Sequence, residues 1–185
     1  MSDLAPLPGF AAWRFVDLVD GFEVLYAEPG RLRGHTSAVE DGVPYAVRYD
    51  IAYDERWRTR EVRVASDTVE GPRDTVIACD GEGSWTVDGR AAPQLDGLTD
   101  IDIEASACTN TFPVHRLDLP LDETVTAPAA YVQALDLTVR RLEQTYRRRD
   151  DGRFDYTSED DFEAVLEYDA SGLILDYPGI ARRFA

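Results

Sequence analysis

The chain of 185 residues contains no lysine: its 19 basic residues are all arginine, set against 36 aspartates and glutamates. A net charge of -17 and a pI near 4.4 exclude the basic surface that sequence-independent binding to nucleic acid or an anionic membrane requires, so neither is an expected partner. The arginine-only usage reads as genome bias or a high-salt habitat rather than as function. No apolar run reaches transmembrane length, and the opening MSDLAPLPGFAAWRF lacks the basic start and unbroken apolar stretch of a signal peptide. A soluble, cytoplasmic protein is therefore the expectation. With only two cysteines, Cys79 and Cys108, no disulfide framework exists, and two free buried thiols are expected. Histidine is equally scarce. His115 follows Cys108 by seven residues, a spacing that matches no thiol-nucleophile motif. The glycine turn Asp80-Gly81-Glu82-Gly83 has no lysine and no following helix pattern, which excludes a phosphate loop.

What is present is strand alternation, with almost no amphipathic helix. Tyr45, Val47, Tyr49, Ile51 and Tyr53 alternate with more polar residues, giving one apolar, aromatic face. Asp41-Gly42 precedes this strand and Asp88-Gly89 closes a later one; both suit tight hairpins because Asp-Gly tolerates positive φ. From Trp57 to Asp67, strict alternation would place Arg58 and Arg60 on the face of Val62 and Val64. Either a bulge shifts the phase and the arginines are solvated, the preferred reading, or they line an anion site. Leu119 to Pro128 reads as a loop. Tyr131 to Val139, the segment around LEQTYRRR, Phe162 to Tyr168 and Leu173 to Tyr177 read as strands, and Pro178-Gly179 ends the regular structure. The predicted architecture is mainly β, a single curled antiparallel sheet of about ten strands with one or two short helices. It forms a spiral β-roll or half-barrel in one domain over residues 1–185, with residues 1–8 flexible.

Asp100 to Leu117, DIDIEASACTNTFPVHRL, concentrates the scarce residue types. As a strand it would place Asp100, Asp102 and Glu104 on one face. Same-face neighbours on a strand lie roughly 7 Å apart, too far to share one cation, so no metal is expected and a solvated or arginine-paired face is preferred. Asn110, between two threonines, reads as a turn residue ahead of a short helix opened by Pro113, with ligand contact as the second reading.

Four stretches together resemble a known bacterial family of formerly unknown function named for glycolipid binding. They are Tyr49 with Trp57-Arg58-Thr59-Arg60; Gly83-Ser84-Trp85 with Val87-Asp88-Gly89; Asp100-Ile101-Asp102-Ile103 with Thr109 to Leu117; and Gln144, Tyr146 and Gly172 to Pro178. The third is the most specific, and here Phe112 stands for the family's leucine and Val114-His115 for its Ile-Arg. The resemblance implies a spiral antiparallel roll similar to the lipoprotein carriers of the bacterial envelope, with a glycolipid or lipid-like ligand inside.

The expected function is thus non-catalytic binding, with Tyr49, Trp57, Arg58, Arg60, Trp85, Asn110, His115 and Arg116 as ligand contacts and no cofactor. One alternative is a hydrolase on a small or sugar-containing substrate using His115 and Asp102 as acid and base. Another is a protein-interaction module.

Overall fold

In the computed structural model, residues 4–185 are described apart from 18, 118, 151 and 160. Six strands form an unbroken antiparallel meander: β1 (Phe10–Phe15), β2 (Val19–Glu28), β3 (Arg31–Glu40), β4 (Val43–Tyr53), β5 (Thr59–Thr68) and β6 (Gly71–Cys79). The hairpin signals mark real turns, since Asp41 and Gly42 have φ of 49° and 79°, and Glu40 pairs with Val43 across them. Beyond β6 the short strands β7 (Trp85–Val87) and β8 (Arg90–Ala91) end one side of the sheet.

On the other side, β1 pairs with the C-terminal β17 (Ala181–Arg183). The sheet continues through β16 (Ile174–Tyr177), β15 (Glu163–Tyr168), β14 (Arg153–Ser158) and β13 (Gln144–Arg148) to β10 (Thr124–Thr126). These fourteen antiparallel strands remain open, with β8 and β10 as edges.

A second sheet of three strands contains β9 (Asp100–Ile103), β11 (Ala129–Val132) and β12 (Val139–Leu142), and its β9–β11 pair is parallel. After β9 come a 3-10 turn, Cys108–Asn110, and the helix α1 (Thr111–Arg116). This inner segment is tied to both arms of the large sheet. Thr36 on β3 donates to the Ala105 carbonyl at 2.5 Å and Ser66 on β5 to Ala134 at 2.6 Å, while Tyr168 on β15 donates to Asn110 at 3.2 Å. The large sheet therefore curls around the small one, and the core lies between them.

Several expectations change. The described residues hold seventeen strands rather than about ten, because strands of two to four residues are too short to show alternation. The predicted single sheet is two. The predicted loop at 119–128 contains β10, and the predicted strand at 131–139 is a hairpin between β11 and β12. Regular structure also continues past Gly179 into β17. The phase break near Arg58 is a bulge, as preferred: Ala52 faces Glu61 while Tyr53 faces Thr59, leaving Arg60 as the extra residue. Of the N-terminal segment, residues 1–3 lie outside the described residues, Ala5 donates to Ala170, and Leu4 and Leu7 pack against the core.

Candidate functional site

Where the small sheet meets the inner wall of the large one, a cavity of ≈ 310 Å³ opens. Its floor comes from β9 and the turn after it: Asp102, Ser106 and Asn110. Tyr45, Tyr131, Tyr156 and Tyr177 form aromatic walls, and Glu40, Glu104, Arg140 and Glu159 stand among its lining. The wall is aromatic because alternation on β4 and β14 sends Tyr45 and Tyr156 to the inner face, while on β16 a bulge at Leu175 shifts the phase so that Tyr177 joins them.

Asp102 is the unusual member. It is 8% exposed, accepts a hydrogen bond from Thr109 Oγ1 at 2.7 Å on Oδ1, and has no cation beside it among the described residues. Burial, reinforced by Glu104 and Asp100, overrides its hydrogen bonds and raises its pKa to about 6. Burial likewise raises Tyr45, to about 12, with the charges of Glu40 and Glu104 adding to the effect.

Arg140, the one cation among the described lining residues, is already engaged. Its guanidinium bonds Glu159 at 2.5 Å and lies 4.9 Å from the centre of the Tyr131 ring. Glu104 accepts from the Tyr131 hydroxyl at 2.9 Å and from the Ala134 amide at 2.7 Å.

Next to the cavity floor is a second buried carboxylate. Glu23 on β2 is fully buried and accepts bonds from the Tyr49 hydroxyl, from Ser106 Oγ at 2.5 Å and from the Ala107 amide at 2.7 Å. Desolvation raises its pKa and those of Tyr49 and Cys108, so at neutral pH the Cys108 thiol stays protonated. This network fixes the turn that carries Ser106 and, four residues on, Asn110.

Of the eight predicted contacts, the structure places Asn110 alone on the cavity wall, its amide donating to Tyr146 Oη at 2.9 Å. The side chain thus bonds another side chain instead of the backbone of its turn, and the helix opens at Thr111, two residues before Pro113. Tyr49 is drawn into the Glu23 network, and Trp85 is buried with its indole bonded to the Leu98 carbonyl at 3.0 Å. Trp57 and His115 stack at 3.7 Å between ring centres, with Tyr53 stacked on Trp57 at 4.5 Å. Arg58 pairs with Asp54 at 2.8 Å and donates to the Gly81 carbonyl, and the Arg60 guanidinium lies over Gly81.

Arg116 forms a two-pronged pair with Asp100 at 2.6 and 2.7 Å. The expected solvated face of β9 is thus a correction: Asp100 and Asp102 are both buried, because β9 is an inner strand covered on each face. Arginine pairing holds for Asp100 only.

His115 and Asp102 are not brought to one site. His115 does not line the cavity; its Nε2 donates to the Ser171 carbonyl at 2.8 Å, and burial lowers its pKa to about 4. Both cysteines are free and buried, as expected. Among the described residues no cluster of potential metal ligands exists, and no helix is long and apolar enough to cross a membrane.

Sequence reading missed Glu23, Tyr131, Tyr156 and Tyr177 as parts of this region. Glu23 carried no signal in its own strand, because Phe22 and Tyr26 make the opposite, exposed phase of β2 the more hydrophobic one.

An open antiparallel roll wrapped around a small inner sheet, with an aromatic and carboxylate-lined cavity between them, defines the class of protein. The chain belongs to the family described as "Putative glycolipid-binding", which matches residues 11–183. It is similar to the crystal structure of a DUF1089 family protein from Pseudomonas aeruginosa, with 34% identity and a TM-score of 0.85 over 93% of this chain and 95% of that one. A beta-barrel-like protein of the DUF1849 family from Brucella abortus shares the fold alone, at 10% identity and a TM-score of 0.53 over 97% of this chain and 95% of that one. No curated protein matches the chain.

Proposed function

We propose that this protein is a non-catalytic binding protein that holds a glycolipid or similar amphipathic ligand, with the cavity above Asp102 and Asn110 as its site. The observation that carries the reading is the cavity itself: ≈ 310 Å³, walled by tyrosines and floored by polar groups that are buried yet face open space. Ligand sites characteristically combine aromatic walls with a few placed polar groups, and the volume is at the lower end of the usual range of about 300–1,000 Å³. The family description agrees with a binding role.

Native mass spectrometry of the protein purified gently from its own host tests this. A lipid-sized adduct is expected, and it should disappear in Ser158→Trp, where a bulky ring enters the cavity from the end of β14. Ligand-free wild-type protein that shows no thermal shift with any sugar amphiphile would overturn the reading.

A further inference from the structure

Resting on the reading of this cavity as the ligand site, we propose that it takes an organic cation, an amine or quaternary ammonium carried on hydrocarbon, which narrows the amphipathic ligand to a positively charged one. Three carboxylates set the sign. Glu40 at the end of β3, Asp102 on β9 and Glu104 just beyond it line the space, and none of them has an ion-pair partner among the described residues. Arg140, the cation of the lining, is held by Glu159, so the charges of that pair cancel.

The three carboxylates act on one space. Burial raises the pKa of Glu40 and of Asp102, and the charge of Glu104 adds to the effect in both. Burial also raises Tyr131, Tyr156 and Tyr177 on the walls, and in each the charge of Asp102 contributes. A buried carboxylate without a counter-charge destabilises its surroundings, and a ligand that supplies the missing charge relieves it.

The walls decide which kind of cation fits. Tyr156, Phe162 and Tyr177 meet with ring centres 5.9–6.1 Å apart, and Tyr45 and Tyr131 also line the space. Aromatic faces attract cations. Val19, Leu142 and Ile180 add hydrocarbon, which cannot replace a hydration shell. A bare metal ion is therefore unsuited, and the described residues hold no cluster of metal ligands. An anionic group would add to the negative charge, while a neutral polyol would leave the carboxylates unneutralised and set hydroxyls against hydrocarbon. A weakly hydrated cation bearing apolar groups matches both parts of the lining.

The approach has the same sign. An adjoining depression of ≈ 420 Å³ shares Glu40, Tyr45 and Glu104 with the cavity and adds Asp41 and Asp136, and no basic residue lines it. With a net charge of -17 on the whole chain, this field draws cations in and holds anions off.

Titrations near neutral pH, followed by backbone amide shifts, compare phenyltrimethylammonium and benzylammonium with tert-butylbenzene, the uncharged isostere of the first, and with benzenesulfonate. At least one cation should bind about tenfold or more tightly than tert-butylbenzene, shifting Ser106, Asn110 and Tyr131, and benzenesulfonate should bind more weakly than either cation. Asp102→Asn keeps the shape and removes the charge, so cation affinity should fall about tenfold while that of tert-butylbenzene changes by less than about twofold. Glu104→Gln should act in the same direction, by about threefold, and a thermal transition of each variant checks that it folds.

Cations that bind no more tightly than tert-butylbenzene, benzenesulfonate that binds as well as they do, or cation affinity unchanged in both variants would overturn the inference. Shifts of the cavity amides by tert-butylbenzene or octyl glucoside would in that case leave a binding function intact. If no probe moves those amides, the proposed function falls with the inference.

Discussion

Asp102 shows what the cavity costs the fold. A carboxylate held at a pKa of about 6 against an ordinary 3.8 binds its proton more tightly in the folded than in the unfolded chain. Stability contributed by that proton is complete below pH 3.8, declines as pH rises towards 6, and is absent above. The cost at neutral pH is about 3 kcal/mol. Asp102→Asn is therefore expected to be more stable than wild type by about 1–3 kcal/mol near pH 7.5, the difference shrinking towards zero near pH 4. Urea denaturation of both proteins at the two pH values checks the sign. A residue that lowers stability where it sits is best explained by a task other than folding.

Arg116 is the opposite case. Asp100 is fully buried, and burial raises its pKa despite the two bonds from Arg116. Arg116→Ala should cost about 3–5 kcal/mol by stranding that carboxylate, whereas the double change with Asp100→Leu should recover most of the loss. Recovery in denaturant melts would identify the pair as structural rather than as a headgroup contact. The motif's specificity in sequence thus includes an arginine whose charge is consumed inside the fold.

At the scale of elements, the strands whose sides alternate clearly were legible, and those that carry exceptions were not. On β4 the face Tyr45, Val47, Tyr49, Ile51 is buried, as its alternation predicts. On β2 the more hydrophobic phase, Phe22 and Tyr26, is exposed, while Glu23 and Leu25 face inward. Nothing in β2 alone could reveal this, because the partners that make Glu23 tolerable lie on β4 and in the 106–107 turn. Gly34 on β3 belongs to the same arrangement: a Cβ there would overlap the Tyr49 ring, which the hydroxyl's bond to Glu23 holds in place. Gly34→Ala is expected to lose about 2 kcal/mol or more in equilibrium unfolding. In a Tyr49→Leu background the added loss should be clearly smaller, since the two sites share one contact.

For the whole molecule, the large imbalance of acidic over basic residues acts on stability rather than on topology. With a net charge of -17, mutual repulsion opposes compaction. Raising salt from about 10 mM to about 200 mM, which shortens the screening length several-fold, should raise the melting temperature. A fall in melting temperature over that range would mean that the surface ion pairs, such as Arg31 with Asp50, outweigh the repulsion. The open sheet also leaves β8 and β10 as edges, and both are short, which limits pairing with other chains.

By itself the sequence determined the β class, the Asp-Gly hairpin turns, a phase break near Arg58 and Arg60 that a bulge would explain, and the family signature from Asp100 to Leu117. These follow from local rules: side-chain alternation, the backbone freedom of turn residues, and residue identity at fixed spacing. Only the tertiary structure decided that this signature runs through the interior, that Asp100 is paired while Asp102 is not, and that tyrosines from β4, β11, β14 and β16 meet around it. The reason is physical. Burial and pairing of a charge depend on which strands lie across from it, and in a curled sheet those partners come from segments up to 84 residues apart in the chain.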